Sequence, residues 1–108
     1  MAGATWNVNV FISERVLDKL ANRHRVTPEE IQQCFESREG RFLRDTREQH
    51  ATSPPTLWFV GKTNRLRKLK VVFILRVTDG EKRVHIRTAY EPSLEVIRLY
   101  ERIVQVSV

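Results

Sequence analysis

The sequence predicts an α+β fold in which two N-terminal helices precede an antiparallel sheet of about four strands and a further helix follows the sheet. Three observations predict this order: two helix-capping signals, several β-branched runs joined by short turns, and a closing amphipathic segment. The chain has 108 residues, of which 41% are hydrophobic and 30% are charged. This length and composition suit one compact domain over residues 1–108.

Two capping signals define the N-terminal helices. Ser13 can cap a helix that runs to about His24, with Val16 and Leu20 on an apolar side. The run Thr27-Pro28-Glu29-Glu30 is sharper, because it places a hydroxyl at the cap, proline at the first helical position and glutamate at the third. The second helix is predicted to end near Glu36 and to bury Ile31, Cys34 and Phe35.

The strands are predicted from runs of β-branched and aromatic residues. They are Arg41–Leu43, Thr56–Gly61, Lys68–Val77 and Lys82–Tyr90. Asp79-Gly80 is a strong hairpin signal between the last two. The polar segment from Asp45 to Pro55 is predicted to be a surface loop, and Glu91-Pro92 opens the final helix. The stem before Ser13 leaves room for one more short strand.

Side-chain alternation predicts a two-faced last strand. Val84, Ile86 and Thr88 are expected on an apolar face, and His85, Arg87 and Ala89 on a basic one. Trp58 and Phe59 are adjacent in another strand, so one of them is expected in the core and the other at the surface, where an indole or phenyl ring can stack on a base.

The positive charge is concentrated in one segment. The chain has 19 basic and 13 acidic residues, a net charge of +6. Between Gly61 and Arg87 nine residues are basic and two acidic, so the rest of the chain is close to neutral. This concentration predicts an anionic partner, with nucleic acid as the first candidate and an acidic protein as the second.

Several classes of protein are disfavoured by the sequence. The single cysteine, Cys34, can form neither an internal disulfide nor a cysteine-based zinc site, and we interpret it as a structural thiol. The chain has no glycine-rich phosphate loop and no metalloprotease or serine-hydrolase motif, so we expect neither a cofactor nor a metal. No apolar run approaches the length of a membrane span and the N-terminus does not resemble a signal peptide, which predicts a cytoplasmic protein without membrane contact.

The residue types present are sufficient for RNA cleavage without metal. This reaction needs a base for the ribose 2′-hydroxyl, cations around the phosphate and an acid for the leaving 5′-oxygen. Glu48 or His50 on the polar loop is the predicted base, and Arg87 is the predicted cation, with His85 beside it and Tyr90 as a proton donor. The predicted RNA-binding residues are Lys62, Arg67, Lys68, Lys70 and Arg76.

Short motifs along most of the chain resemble those of the BrnT-type toxins, within the RelE-like ribonuclease superfamily. They are Asn22–Val26, a glutamate-rich second helix ending in Phe35, Asp45, Glu48-x-His50, Gly61, Leu69–Phe73, Val84–Tyr90 and Tyr100-Glu101. The resemblance implies a small α+β endoribonuclease that is inhibited by a cognate antitoxin protein. Such antitoxins typically bind DNA, so the resemblance also implies a DNA-bound complex that represses its own operon.

The sequence departs from the family pattern in three motifs. Arg25 stands where members usually have glycine, which implies a different turn after the first helix. His50 and Tyr90 stand where members usually have arginine, so Lys68, Lys70, Arg76 and Arg87 would have to replace those charges. Two alternatives stay open: a non-catalytic basic module that docks an acidic antitoxin, an immunity partner or nucleic acid, and an effector domain cut from a larger toxin.

Overall fold

The computed structural model describes residues 9–46 and 54–106, and it confirms the α+β architecture. The elements are β1 (Asn9–Phe11), α1 (Glu14–Lys19), a π-helical turn (Leu20–His24), α2 (Pro28–Glu36), β2 (Leu43–Arg44), β3 (Thr56–Lys62), β4 (Lys68–Thr78), β5 (Glu81–Tyr90) and α3 (Leu94–Val106). The three long strands and the first two helices lie where the sequence predicts them.

One mixed sheet of five strands has the order β1-β5-β4-β3-β2. The predicted antiparallel strands pair as β2 with β3, β3 with β4 and β4 with β5. The N-terminal stem adds β1, which runs parallel to β5. A parallel neighbour needs a long connection, and here the two helices and three strands lie between β1 and β5 along the chain.

Both predicted caps are present. The Ser13 hydroxyl accepts a hydrogen bond from the Val16 amide at 3.3 Å. In α2 the Glu30 amide donates to the Thr27 hydroxyl at 3.1 Å, and the Thr27 amide donates to the Glu30 carboxylate at 3.0 Å. Together they satisfy amides that the first turn of a helix leaves without backbone partners.

The turn after the first helix has a backbone that suits glycine. Arg25 adopts the left-handed conformation, with a φ of 53°. Arg25 therefore takes up a conformation that glycine would adopt without strain. The Val26 amide donates to the Leu20 carbonyl at 3.0 Å and closes the turn.

The core lies between α2, the π-helical turn and one face of the sheet, which we call the inner face. Its largest fully buried side chains are Leu20, Ile31, Cys34, Phe35, Phe59, Leu69, Val71 and Phe73. The Phe35 ring lies 4.8 Å from the Phe59 ring and 5.4 Å from the Phe73 ring, so aromatic contacts join α2 to the two central strands.

A β-bulge in β5 corrects the predicted alternation. Thr88 pairs with Val72 and Ile86 pairs with Phe73, so Arg87 is an extra residue on β5 with no partner on β4. Beyond the bulge the alternation is reversed. Ala89 is therefore buried on the inner face, whereas the prediction placed it on the same face as His85. Thr88, predicted on the apolar face, lies on the other face of the sheet.

Helix α3 packs over one end of the opposite face of the sheet. The Tyr100 hydroxyl donates to the Arg41 carbonyl at 2.8 Å, and its ring lies 5.7 Å from that of Trp58. Leu94, the first residue of α3, is 58% exposed. None of the helices in the described part of the chain is long and apolar enough to cross a membrane.

Candidate nucleic-acid interface

The face of the sheet opposite the core is polar, basic and aromatic, and we call it the outer face. Residues that pair directly across antiparallel strands share a face, which places two rows side by side on β4 and β5. The outer face comprises Thr56, Trp58 and Val60 of β3, Lys70, Val72, Ile74 and Arg76 of β4, and Arg83, His85, Thr88 and Tyr90 of β5. α3 covers the Val60 end, Thr56 and Ile74 are buried, and the other side chains are at least partly accessible.

Lys70 lies between two aromatic side chains at the centre of this face. Its ammonium nitrogen is 4.5 Å from the centre of the Trp58 ring and 6.0 Å from that of the Tyr90 ring. Trp58 is only half-buried, whereas its neighbour Phe59 is fully buried. The prediction that one of this pair is in the core is thus confirmed for Phe59, while Trp58 is partly buried on the outer face. A cation between aromatic rings can contact a phosphate and two bases together.

Two adjoining cavities follow this cluster across the sheet. One, of about 580 Å³, lies between the β2–β3 edge and α3 and includes Trp58, Leu99 and Ile103. The other, of about 210 Å³, is lined by Val72, Thr88, Tyr90 and the bulged Arg87. Lys70 and Asp45 line both cavities. The two cavities therefore meet at Lys70 and Asp45, and we call them together the groove, which extends from α3 to the bulge.

The bulge exposes the Arg87 side chain at the end of this groove. Arg87 is exposed, and it has no ion pair among the described residues. An unpaired guanidinium presents several N–H donors in a planar arrangement that matches phosphate oxygens. Bulges often change the direction of a side chain next to a functional site, and this one occurs at the predicted transition-state cation.

His85 lies on the other side of the bulge and is half-buried. Its ring is 5.1 Å from the ring of Phe11 on β1. Burial and the charges of Arg76 and Arg83 lower the pKa of His85 below its ordinary value of 6.5. The imidazole is therefore neutral at pH 7, which is the form that can accept a proton.

Tyr90 is bordered by a second histidine. The His24 ring lies 5.6 Å from the Tyr90 ring. Arg67 fixes the turn that carries this histidine, since it donates to the His24 carbonyl at 2.9 Å and to the Arg25 carbonyl at 2.8 Å. The backbone of His24 is thus part of a structural contact, and its ring borders Tyr90.

The predicted RNA-binding residues divide into two groups. Lys70 and Arg76 lie on the outer face, and Lys68 lies at its α3 end, paired with Glu101 at 3.2 Å. Lys62 is exposed beside Lys68. Arg67 is committed to structural contacts: its guanidinium contacts Glu30 at 3.1 Å and Glu91 at 3.0 Å in addition to the two carbonyls. The structure thus brings together Lys70, Arg76, His85, Arg87 and Tyr90 and leaves Arg67 apart from them.

The two residues predicted as the base, Glu48 and His50, lie outside the described residues. Their loop joins β2 to β3, and its described ends, Asp45 and Thr56, line the groove beside Tyr90. Among residues 9–46 and 54–106 no three histidine, cysteine, aspartate or glutamate side chains form a group that could hold a metal ion. Cys34 is inert in this setting, because burial and the nearby Glu30 carboxylate raise the pKa of its thiol to about 12.

Phe11 and Asp45 border this interface, and the sequence reasoning assigned a role to neither in its site. Phe11 reaches His85 only because β1 pairs with β5, a non-local contact that the sequence does not reveal. Asp45 is the one carboxylate among the described residues that line the two groove cavities. The sequence places Asp45 at the start of the predicted loop and within the family resemblance, but not in the groove.

Comparison with known proteins does not identify a family. Neither a scan against protein-family models nor a search of curated proteins returns a match to this chain. The functional interpretation therefore depends on the geometry of the outer face.

Proposed function

We propose that the outer face binds single-stranded RNA and cleaves it without a metal ion, in the manner of a small toxin-like endoribonuclease. The observation that carries the proposal is the half-buried cluster of Lys70, Trp58 and Tyr90 beside the exposed Arg87. Stacking rings next to cations are typical of surfaces that bind unpaired nucleotides, whose bases are free to stack.

The charge on this face explains why a polyanion would bind there. Lys70, Arg76 and Arg87 are cations of the outer face, and no ion pair neutralises them among the described residues. Lys68 contributes less, since Glu101 compensates its charge. Phosphate contacts supply most of the affinity of nucleic-acid binding, and aromatic stacking adds selectivity for single strands.

The proposed reaction is an internal phosphoryl transfer. A base removes the proton of a ribose 2′-hydroxyl, the 2′-oxygen attacks phosphorus, and the bond from phosphorus to the 5′-oxygen breaks. An acid protonates the leaving oxygen, so the products are a 2′,3′-cyclic phosphate and a 5′-hydroxyl. Arg87 stabilises the charge on the phosphoryl oxygens. The base comes from His85, Glu48 or His50, and Tyr90 beside Lys70 donates the second proton.

Incubating the purified chain with a labelled RNA oligonucleotide in EDTA tests the proposal. We expect fragments that end in 2′,3′-cyclic phosphate, and Arg87→Ala should slow their formation by about a hundredfold or more, as loss of a transition-state donor does. Arg65→Ala is the matched control, because Arg65 is exposed on the β3–β4 turn, away from the groove. The absence of cleavage, or equal rates for both variants, would contradict the catalytic part.

The same set of variants identifies the base. The pH–rate profiles of His85→Ala, Glu48→Gln and His50→Ala should differ, because only the variant of the true base loses the fall in rate that protonation of the base causes at low pH. A variant whose rate falls without any change in the pH profile has lost binding or positioning instead.

The second candidate function is a non-catalytic module that docks an acidic protein, such as a cognate antitoxin. The 580 Å³ cavity favours it, since Leu43, Trp58, Leu99 and Ile103 give it an apolar lining, and Arg44 and Lys70 lie at its rim. Salt-sensitive RNA binding without cleavage would remain compatible with such a module. Co-expression with the product of the adjacent reading frame and tests of its DNA binding would examine the partner and the operon complex.

A further inference from the structure

A third cavity, of about 450 Å³, lies on the far side of the bulge, between α1 and the β4–β5 strands. Its charged and titratable lining residues are all basic: Arg15 and Lys19 of α1, Arg76 of β4, and His85 and Arg87 of β5. No carboxylate lines it among the described residues. Such a one-sided charge distribution repels cations and attracts anions.

The two helical residues are placed there by their spacing. Arg15 and Lys19 are four residues apart, so they lie on the same side of α1, the side that borders β5. Like charges at this spacing destabilise a helix slightly, and neither side chain has an ion pair with a described residue. The fold thus keeps two unneutralised cations beside two unneutralised arginines of the sheet.

An aromatic side chain borders the same cavity. Phe11 is 50% exposed, and its ring contacts the His85 ring at a centroid distance of 5.1 Å and an angle of 52°. The His85 imidazole therefore supports the Phe11 ring from one side, while about half of the residue remains open to solvent. A supported, exposed ring beside cations suits a base attached to a phosphate better than it suits a free anion.

We propose that this cavity binds a further nucleotide of the RNA strand, with its phosphate between Arg15, Lys19 and Arg76 and its base on Phe11. The inference rests on the proposed RNA binding by the outer face and extends it around the bulge. Arg87 joins the two parts, because it lines both this cavity and the one beside Tyr90. The strand therefore crosses the sheet from Trp58 to α1 and passes Arg87 midway.

The double variant Arg15→Ala and Lys19→Ala tests the phosphate contact. Alanine favours helix, so α1 should be retained, which circular dichroism checks. We expect about a tenfold loss of affinity for a single-stranded RNA oligonucleotide, together with a decrease of about 1 in the slope of log affinity against log salt. The matched control, Arg98→Ala with Arg102→Ala, removes two exposed charges from α3 that line none of these cavities.

The substitution Phe11→Leu tests the stacked base separately. It should lower affinity for the same oligonucleotide by about fivefold or more and leave the salt slope unchanged, because stacking releases no counterions. Binding by both altered proteins that equals the wild type, or a loss no greater than that of the α3 control, overturns the inference alone. A wild-type chain that fails to bind the oligonucleotide overturns the proposed function itself.

Discussion

Arg25 is a residue whose backbone and side chain are mismatched. A left-handed conformation costs a non-glycine residue about 1–2 kcal/mol, and glycine returns part of that gain through its larger entropy in the unfolded chain. Arg25→Gly should therefore raise the free energy of unfolding by about 0.5–1 kcal/mol. Denaturant titration measures this change, and the contact from Arg67 to the residue 25 carbonyl is preserved.

The variant Arg23→Gly, two residues earlier, provides the control. Arg23 lies within the helical turn Leu20–His24, where glycine destabilises by about 1 kcal/mol. Changes of opposite sign in the free energy of unfolding of Arg23→Gly and Arg25→Gly would establish that backbone conformation, rather than loss of positive charge, determines stability here. A destabilised Arg25→Gly variant would contradict the left-handed assignment.

The titration of His85 should report its surroundings. Burial and the charges of Arg76 and Arg83 lower its pKa in the folded chain, so the neutral imidazole is favoured. Arg76→Ala removes one of these charges and should raise the His85 pKa toward 6.5, with burial keeping it below that value. Side-chain NMR across pH 4 to 8, with Arg65→Ala as the control, measures the change.

The lowered pKa of His85 also makes the stability of the fold depend on pH. Because the folded-state pKa is depressed, the unfolded chain binds the proton more readily at acidic pH. The contribution of His85 is complete above about pH 6.5, the pKa of an unperturbed imidazole, and is lost as the pH falls through the folded-state value. A His85 midpoint above 6.5 would contradict this account.

What the sequence predicts at this scale depends on how local the cause is. The caps at Ser13 and Thr27 and the Asp79-Gly80 turn are determined by three or four neighbouring residues, and all are present. Arg87 illustrates the limit. Its bulge arises from the register between two strands, so simple alternation assigns Ala89 and Thr88 to the wrong faces.

At the scale of elements, Gly61 allows α2 to pack closely on β3. A Cβ atom at this position would lie 2.8 Å from both the Cβ and the carbonyl oxygen of Cys34. Since one of these atoms belongs to the backbone of α2, the helix itself would have to move. Gly61→Ala should therefore lower the free energy of unfolding by about 1–3 kcal/mol, as overpacked cores do.

The neighbouring substitution Lys62→Ala is the control for that measurement, because Lys62 is exposed and lies on the same strand. It should change the free energy of unfolding by less than about 0.5 kcal/mol. Cys34→Ala should not rescue Gly61→Ala, since it removes neither of the two atoms in contact. Equal stability of the Gly61 and Lys62 variants would show that α2 and β3 do not approach closely.

The sequence predicts elements well where periodicity is long and poorly where an element depends on a distant partner. α2 and the three long strands carry enough pattern to be located within one or two residues. β1 has only three residues and exists because β5 offers a free edge. The candidate site shows the same difference between local and distant causes. Its cations can be identified in the sequence, whereas the Phe11–His85 contact exists only because β1 pairs with β5.

At the scale of the whole molecule, location matters more than the net charge of +6. The basic segment Gly61–Arg87 does not act as one surface. Arg67 is held by Glu30 and Glu91, and Lys68 is held by Glu101. The charges available to a polyanion on the outer face are therefore chiefly Lys70, Arg76, Arg83 and Arg87, and Lys68 contributes less because it is paired with Glu101.

Two triple variants with the same net charge separate location from total charge. Replacing Lys70, Arg76 and Arg87 by alanine removes three positive charges from the groove and the outer face beside it, and replacing Arg65, Arg98 and Arg102 removes three that line none of the three cavities described above. If binding depended on net charge alone, both would weaken it equally. With the outer face as the interface, the slope of log affinity against log salt for single-stranded RNA should fall by about 2 in the groove variant. The slope should stay near the wild-type value in the variant of Arg65, Arg98 and Arg102. Equal slopes for the two triple variants would exclude the outer face as the interface.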